Sequence, residues 1–316
     1  MIELEHALQA AGLRPLRIIP GLLQRCPVDG DNPGKKSGAY RLFDDGAPVC
    51  LWWNWRAGTS GSWHASGSSG QTPEERARML AMMRQAQQER ERAQADQWAS
   101  NAERNAKQWE AAQHITDSNP AGLYLARRGL ALQGTAHHAL RYVPDLEYWD
   151  GPRSCGRHPA MLALVTAPSG APVALHRTYL TRGGHKAQLP IVKKLTGTSG
   201  PMAGAAIKLH APRLHGEELR IALGVAEGIE TAIAAEQIAG IPVWPCVSAT
   251  GLASFSPPAG LQALYVFADN DASGTGQKAA AELAQRAARA GLVVRILTPR
   301  ETGTDWADWL ASNKAG

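Results

Sequence analysis

At 316 residues the chain is long enough for two or three domains and at least one sizeable core. Apolar residues make up 44%, yet no stretch nears the ~20 consecutive apolar residues of a spanning helix, which excludes an integral helical membrane protein. The net charge of +5 is unevenly divided. From residue 221 onward six Lys/Arg face nine Asp/Glu, whereas the preceding residues hold 27 against 19. A basic body suits a polyanion and an acidic end suits a cation. Glu3 and Glu5 stand where a secretory signal would be basic, so the expected location is the cytoplasm. Cys26, Cys50, Cys155 and Cys246 are far apart and form no Cys-x-x-Cys pair, as expected of reduced thiols.

The predicted elements begin with a short helix over Leu4–Ala11. Small strands follow at 40–43 and 49–53, separated by Gly, Pro and Asp. Residues 57–71, rich in Gly and Ser, read as a loop or linker. Thr72-Pro73-Glu74-Glu75 is a helix start, with an N-cap hydroxyl, Pro at the first helical position and acids in the first turn. The pattern then runs to about His114 with few large apolar residues, which predicts a solvated spacer helix. Pro120 to Arg128 predicts a helix stopped by Gly129. Residues 161–165 and 173–180 predict two strands joined by a turn at Pro168–Ala171. A basic, Gly-rich stretch spans Arg182 to Lys208.

The last unit alternates: strand 221–226, helix 229–238, strands 243–247 and 263–268, helix 276–290, strand 293–297, helix 306–311. Such alternation makes a parallel sheet covered by helices, and ligands bind beyond the carboxyl ends of its strands. The acids fall at those ends: Glu227 after the first strand, Asp269 and Asp271 after the third, Asp305 and Asp308 after the last. Unpaired carboxylates ~4 Å apart repel by about 1 kcal/mol even in water and call for a cation. With oxygen ligands and no His or Cys nearby, the expected ion is Mg²⁺ or Mn²⁺. Gly228 and Gly274, each just before a helix, allow close approach of a phosphate.

Glu227-Gly228-Ile229-Glu230-Thr231-Ala232 resembles the first motif of the Toprim family, a Glu-Gly pair between strand and helix. Asp269-Asn270-Asp271-Ala272-Ser273-Gly274 resembles its Asp-x-Asp motif, and Asp305-Trp306-Ala307-Asp308 its terminal acidic motif. The resemblance covers about 95 residues. It implies that Asp269 and Asp271, with Glu227 or Asp308, hold Mg²⁺, that Glu227 is the general acid or base, and that Asp305 belongs to the metal site. Glu230, one helical turn along, is either a surface residue or part of the site.

Tyr124-Leu125-Ala126-Arg127-Arg128-Gly129-Leu130 resembles the signature that precedes the catalytic core of bacterial-type primases. The hairpin ending near Arg177 resembles that core's next element. The resemblance implies nucleotide- or template-binding roles for Arg127, Arg128, Arg177, Lys186, Lys193, Lys194 and Lys208. Bacterial-type primases open with a zinc ribbon, which Cys26-Pro27 resembles, but Cys26, Cys50 and His64 fall one ligand short of the four that zinc takes. A ribbon-like unit without zinc is expected, with Trp52, Trp53, Trp55 and Trp63 as either its core or a stacking platform for single-stranded bases. Gly30–Ser37 has spacing too short for a P-loop, so unwinding would fall to a separate helicase.

The expected fold class is α/β: a ribbon-like unit over 1–70, a linker helix over 71–115, a mixed α+β primase-core subdomain over 116–218 and a Toprim domain with a Rossmann-like parallel sheet over 219–316. The expected activity is Mg²⁺-dependent primer synthesis on single-stranded DNA from nucleoside triphosphates, for a phage, plasmid or other mobile element. The alternatives are a Toprim nuclease and a non-catalytic single-strand-binding protein.

Overall fold

Leu4 and Leu8, one helical turn apart, are buried on one face of α1 (Ile2–Ala10), and that face seeds the first core. The computed structural model describes residues 2–44, 48–65, 73–132 and 138–314. Two compact units divide the chain, Met1–Gln88 and Glu89–Gly316.

In the first unit β1 (Leu23–Cys26), β2 (Gly38–Phe43), β3 (Val49–Asn54) and β4 (Thr59–His64) form an antiparallel meander in that order. Its core gathers Leu4, Leu8, Leu13, Val28, Tyr40 and Leu42 with the thiols of Cys26 and Cys50. Trp52 and Trp63 pack against this core, whereas Trp55 is exposed beneath the Arg25 guanidinium, 4.3 Å from its ring centre. The tryptophans thus serve both faces of the sheet. Residues 59–64, expected as loop, are a strand instead, because Gly61 lets the Trp52 ring lie flat across it; a Cβ there would stand 2.5 Å from that ring. The rest of the Gly/Ser segment, 66–71, and the expected cap Thr72 lie outside the described residues. Gly30–Ser37 forms turns that lead into β2 and no helix follows it, so it lacks the strand-to-helix setting of a P-loop.

The helix α2 (Pro73–Glu110) is not wholly a solvated spacer. Its last turns lie on a sheet built from β5 (Leu140–Asp150), β6 (Arg153–Thr166), β7 (Pro172–Tyr179) and β8 (Lys193–Leu195), with β9 (Ala206–Ile207) beside β6. Leu162 and Leu175 on that face pack with Ala112 and Trp109. Asn101 and Asn105 donate to the carbonyls of Thr198 and Gly197, at 2.7 and 3.0 Å. The opposite face packs on α3 (Pro120–Arg127) and contributes Met161, Ala163 and Val173 to the largest core.

The last sheet runs in the order β10 (Arg213–His215), β11 (Arg220–Ala226), β13 (Ala263–Phe267), β14 (Val293–Leu297), with β12 (Val243–Pro245) also on β11. β11 to β14 are mutually parallel where they pair, and β10 is an antiparallel edge. Helices α4 (Ile229–Ala239), α5 (Ala249–Ser254), α6 (Thr275–Arg289) and α7 (Trp306–Lys314) complete it. The seven buried residues from Ile229 to Ala235 put almost the whole first half of α4 in the interior, joining this sheet's core to that of the preceding subdomain. Among the described residues no helix is long and apolar enough to cross a membrane.

Candidate active site

Glu227 follows β11, and the parallel register sets Ala226 beside Phe267, so the turns after β11 and β13 open on the same edge of the sheet. A cleft of about 190 Å³ lies there. Part of its wall is acidic, with Glu227, Glu230, Asp269 and Asp305, and part is cationic, with Arg128, Lys186 and Lys193; the two parts meet where Arg128 lies by Asp305 and Lys193 by Glu230.

The acidic wall is held by local turns. Thr231 Oγ1, in the first turn of α4, donates to Asp269 Oδ1 at 3.3 Å. Ser273 Oγ donates to Asp271 Oδ1 at 2.6 Å, and Gly274, at φ 66°, closes that turn and caps α6. The backbone N–H of Ala249 bonds Glu227. Burial pushes the Asp269 carboxyl up to about 6, with Asp305, Glu227 and Asp271 adding repulsion. Burial and Asp271 likewise raise Glu227, while the Ser273 hydroxyl holds Asp271 below the usual carboxylate range. Val247, on the cleft wall, has φ 72°, a strained conformation for a β-branched side chain.

The cationic wall is braced from beneath. Glu230 is 3% exposed, so its reading as a surface residue is wrong. Tyr124 OH donates to its Oε1 at 2.6 Å and Lys193 Nζ to its Oε2 at 2.8 Å. Burial alone would raise this carboxyl, but the Lys193 ammonium and the Tyr124 hydroxyl bring it down to about 2. One carboxylate on α4 thus ties α3 and β8 to the catalytic sheet and sets where Lys193 stands. Beside it His176 is buried with Nδ1 unpartnered among the described residues, and burial and Lys193 push its imidazole down to about 4.

The sequence-predicted residues therefore separate. Glu227, Asp269, Asp305, Arg128, Lys186 and Lys193 line the cleft, and Asp271, which does not line it, stands near Glu227 across the space at Gly276. Asp308 does not line it; its backbone N–H donates to Asp305 Oδ1 at 2.8 Å, its Oδ2 accepts from the N–H of Asp305, and the pair caps α7. Arg128 lies 3.7 and 3.8 Å from these two carboxylates. Arg127 turns away, its Nε bonded to the Gly183 carbonyl. Arg177 bonds Gln108 of α2 on the opposite face of β7 from His176. Lys194 lies over Tyr148 and donates to the Trp149 carbonyl. Lys208 donates to the Ala167 carbonyl near Trp244. Sequence reasoning missed Tyr124 and His176. Tyr124 opens the signature already singled out, and the strict alternation of β7 places His176 and Arg177 on opposite faces.

The carboxylates fit a hard divalent ion. Gly276, at the start of α6, faces the site without a side chain. A Cβ there would stand 3.6 Å from Asp271 Oδ2 and 3.9 Å from Glu227 Oε2, so two carboxylate oxygens border one small space that only glycine leaves open. Among the described residues no three His, Cys, Asp or Glu side chains converge on one metal position. The pair bordering Gly276, Asp271 and Glu227, is a donor set that would suit Mg²⁺, which takes one or two carboxylates and keeps water and substrate phosphate as its other ligands. Cys26 and Cys50 are buried in the first unit's core, where burial raises both thiols, Cys50 to about 11.

Residues 222–315, which hold this parallel sheet and its acidic strand ends, match the model of a Toprim domain. Residues 99–209 match the model of a domain of unknown function, DUF7146, so the chain carries these two domains in succession. No curated protein matches it in sequence. Among solved structures it is similar to a DNA primase domain from Pseudomonas aeruginosa, at 16% identity over 60% of this chain and 66% of that one, TM-score 0.41. The RNA polymerase domain of Mycobacterium tuberculosis primase DnaG is similar at 14% identity over 71% and 82%, TM-score 0.39. The primase fragment of the bacteriophage T7 primase-helicase protein is similar at 16% identity over 92% and 95%, TM-score 0.37.

Proposed function

We infer that the chain is a DNA primase, a nucleotidyltransferase that starts short RNA or oligonucleotide chains on single-stranded DNA. The observation that carries this reading is the single cleft of about 190 Å³ lined both by the Toprim carboxylates Glu227, Asp269 and Asp305 and by Arg128, Lys186 and Lys193. Cleavage of a phosphodiester needs the acidic wall. A triphosphate, with three or four negative charges to place beside carboxylates, needs the opposing cations as well.

Asp271 and Glu227, whose oxygens border the space beside Gly276, would hold Mg²⁺, with Asp269 and Asp305 adjoining. When bound, the ion supplies charge neutralisation at the triphosphate and lowers the proton affinity of the attacking 3′ hydroxyl. Arg128, Lys186 and Lys193 orient the phosphates. Glu227, whose carboxyl burial raises, accepts the hydroxyl proton as the 3′ oxygen bonds the α-phosphorus and pyrophosphate leaves. Residues 116–218 form the nucleotide-handling subdomain and 219–316 the catalytic domain. The chain serves a phage, plasmid or other mobile element, and a separate helicase opens its template.

The test is the double variant Asp269→Ala, Asp271→Ala. It should abolish synthesis while single-strand binding and thermal stability persist. Full synthesis by the double variant would refute the site.

A further inference from the structure

The sheet that presents Lys193 to the catalytic cleft has a second pocket on its other side. Across β7 and β8, Thr178 is paired with Lys193 and Arg177 with Lys194, and directly opposed residues share a face. His176, Thr178 and Lys193 therefore point one way, toward the cleft, and Arg177 and Lys194 the other. On that other side a pocket of about 370 Å³ opens between β7, the segment after β8 and the last turns of α2.

Its lining is built for an anion. Asn101, Arg104, Asn105 and Gln108 recur at helical spacing along one face of α2, and Arg177 meets them from β7. Among the described residues that line it none is acidic. The floor is fixed in advance. Asn101 and Asn105 bind the carbonyls of Thr198 and Gly197, and a Cβ on Gly197 would lie 2.8 Å from Asn101 Oδ1. Arg104 donates to Asn101 Oδ1 and Arg177 Nη2 to Gln108 Oε1, so both guanidiniums are oriented by amides and neither is neutralised by a carboxylate there. Arg177 Nε is buried without a partner among the described residues. A charged donor in that state lacks an acceptor that an anionic oxygen would supply. The volume exceeds that of a bare ion and suits a phosphate with its sugar.

We propose that this pocket is a second phosphate-ester site, separate from the Toprim cleft, in which Arg104 and Arg177 hold a phosphate of a nucleic-acid strand or of a free nucleotide. A strand lying across the β8 edge would pass from Lys193 on one face to Lys194 and Arg177 on the other. The choice of probes rests on the primase reading; the binding measurement does not, because it is made without Mg²⁺ and without synthesis.

The test compares the full chain with Arg104→Gln and Arg177→Gln, using a labelled 15-nucleotide oligothymidylate in fluorescence anisotropy and ATP in calorimetry. If the site holds a strand, each variant weakens oligonucleotide binding about fivefold at 0.1 M salt and lowers the log–log salt slope by about 0.7, the value for one single-strand phosphate contact. If it holds a free nucleotide, ATP binding falls by a similar factor and the oligonucleotide is bound as before. Arg104 is exposed on α2, so its variant stays folded even if Arg177→Gln does not, and melting curves establish that. Unchanged binding of both probes by folded Arg104→Gln overturns the proposal. Absence of primer synthesis by the unsubstituted chain would fail the primase reading and leave this binding test standing.

Discussion

Asp269→Asn should make the metal-free protein more stable, the opposite of what removal of a hydrogen-bonded buried group normally does. The carboxyl is raised from 3.8 to about 6 by burial and by Asp305, Glu227 and Asp271. Each pKa unit corresponds to 1.36 kcal/mol, so the ionised side chain costs the fold at most about 3 kcal/mol at pH 7.5, and about 1–3 kcal/mol once partial solvation is allowed for. Asn keeps the volume and can still accept from Thr231. A raised pKa gives a stabilisation that is complete below about 3.8 and lost as the pH rises through about 6. The advantage of the variant should therefore be full at pH 7.5 and vanish near pH 4. At about 2–4 °C per kcal/mol for a unit of this size, the expected gain in Tm is roughly 3–10 °C, read by scanning fluorimetry in EDTA. Adding Mg²⁺ should reverse the order. At a hundred times Kd a ligand stabilises by about 2.7 kcal/mol, and the variant should lose most of that. A destabilised variant in EDTA, or a difference that does not change between pH 7.5 and 4, would refute the reasoning.

Gly276→Ala should stabilise the metal-free protein slightly, by about 0.5–1 kcal/mol for Ala over Gly within a helix, yet weaken the Mg²⁺-induced shift in Tm by filling the space beside Glu227 and Asp271; an unchanged Mg²⁺ shift contradicts it. Glu230→Gln should cost about 2–3 kcal/mol at pH 7, because it leaves Lys193 without its buried counter-charge. Its carboxyl is depressed to about 2, so that cost should be present above about pH 4.5 and fade as the pH falls toward 2, measured by urea unfolding at several pH values. Elemental analysis should find zinc well below stoichiometric, since thiolates are the ligands and burial disfavours them at Cys26 and Cys50; stoichiometric zinc lost on Cys26→Ser would contradict this.

The alternating C-terminal third of the chain was the readable part. β11, β13 and β14 are short apolar runs between amphipathic helices, and their acidic ends follow from parallel topology. Other elements carried no such signal. β5 contains Pro144 and Asp145, and the structure accommodates them at a bulge between Val143 and Leu146. α5 has six residues and a glycine, Gly251, whose absent Cβ would stand 2.0 Å from the Cys246 carbonyl; close approach of backbone, not helix propensity, decides it. The docking face of α2 is polar, so hydrophobic periodicity could not reveal it. The same limit applied to the basic residues. The primase resemblance grouped Arg177, Lys194 and Lys208 with Lys193, but only strand register and tertiary packing show that none of the three shares the cleft with Lys193.

The central claim is that the acidic and cationic residues lining one cleft serve synthesis together. The most direct measurement incubates the full chain with single-stranded DNA, Mg²⁺ and labelled ribonucleotides, and scores extended products and template cleavage on the same gel. Products that require added nucleoside triphosphates and disappear in Lys193→Ala, with the template intact, are the predicted result. Mg²⁺-dependent cutting of the template at a rate indifferent to nucleotides, with no extended product from any nucleotide mixture, would contradict the account and make the protein a Toprim nuclease.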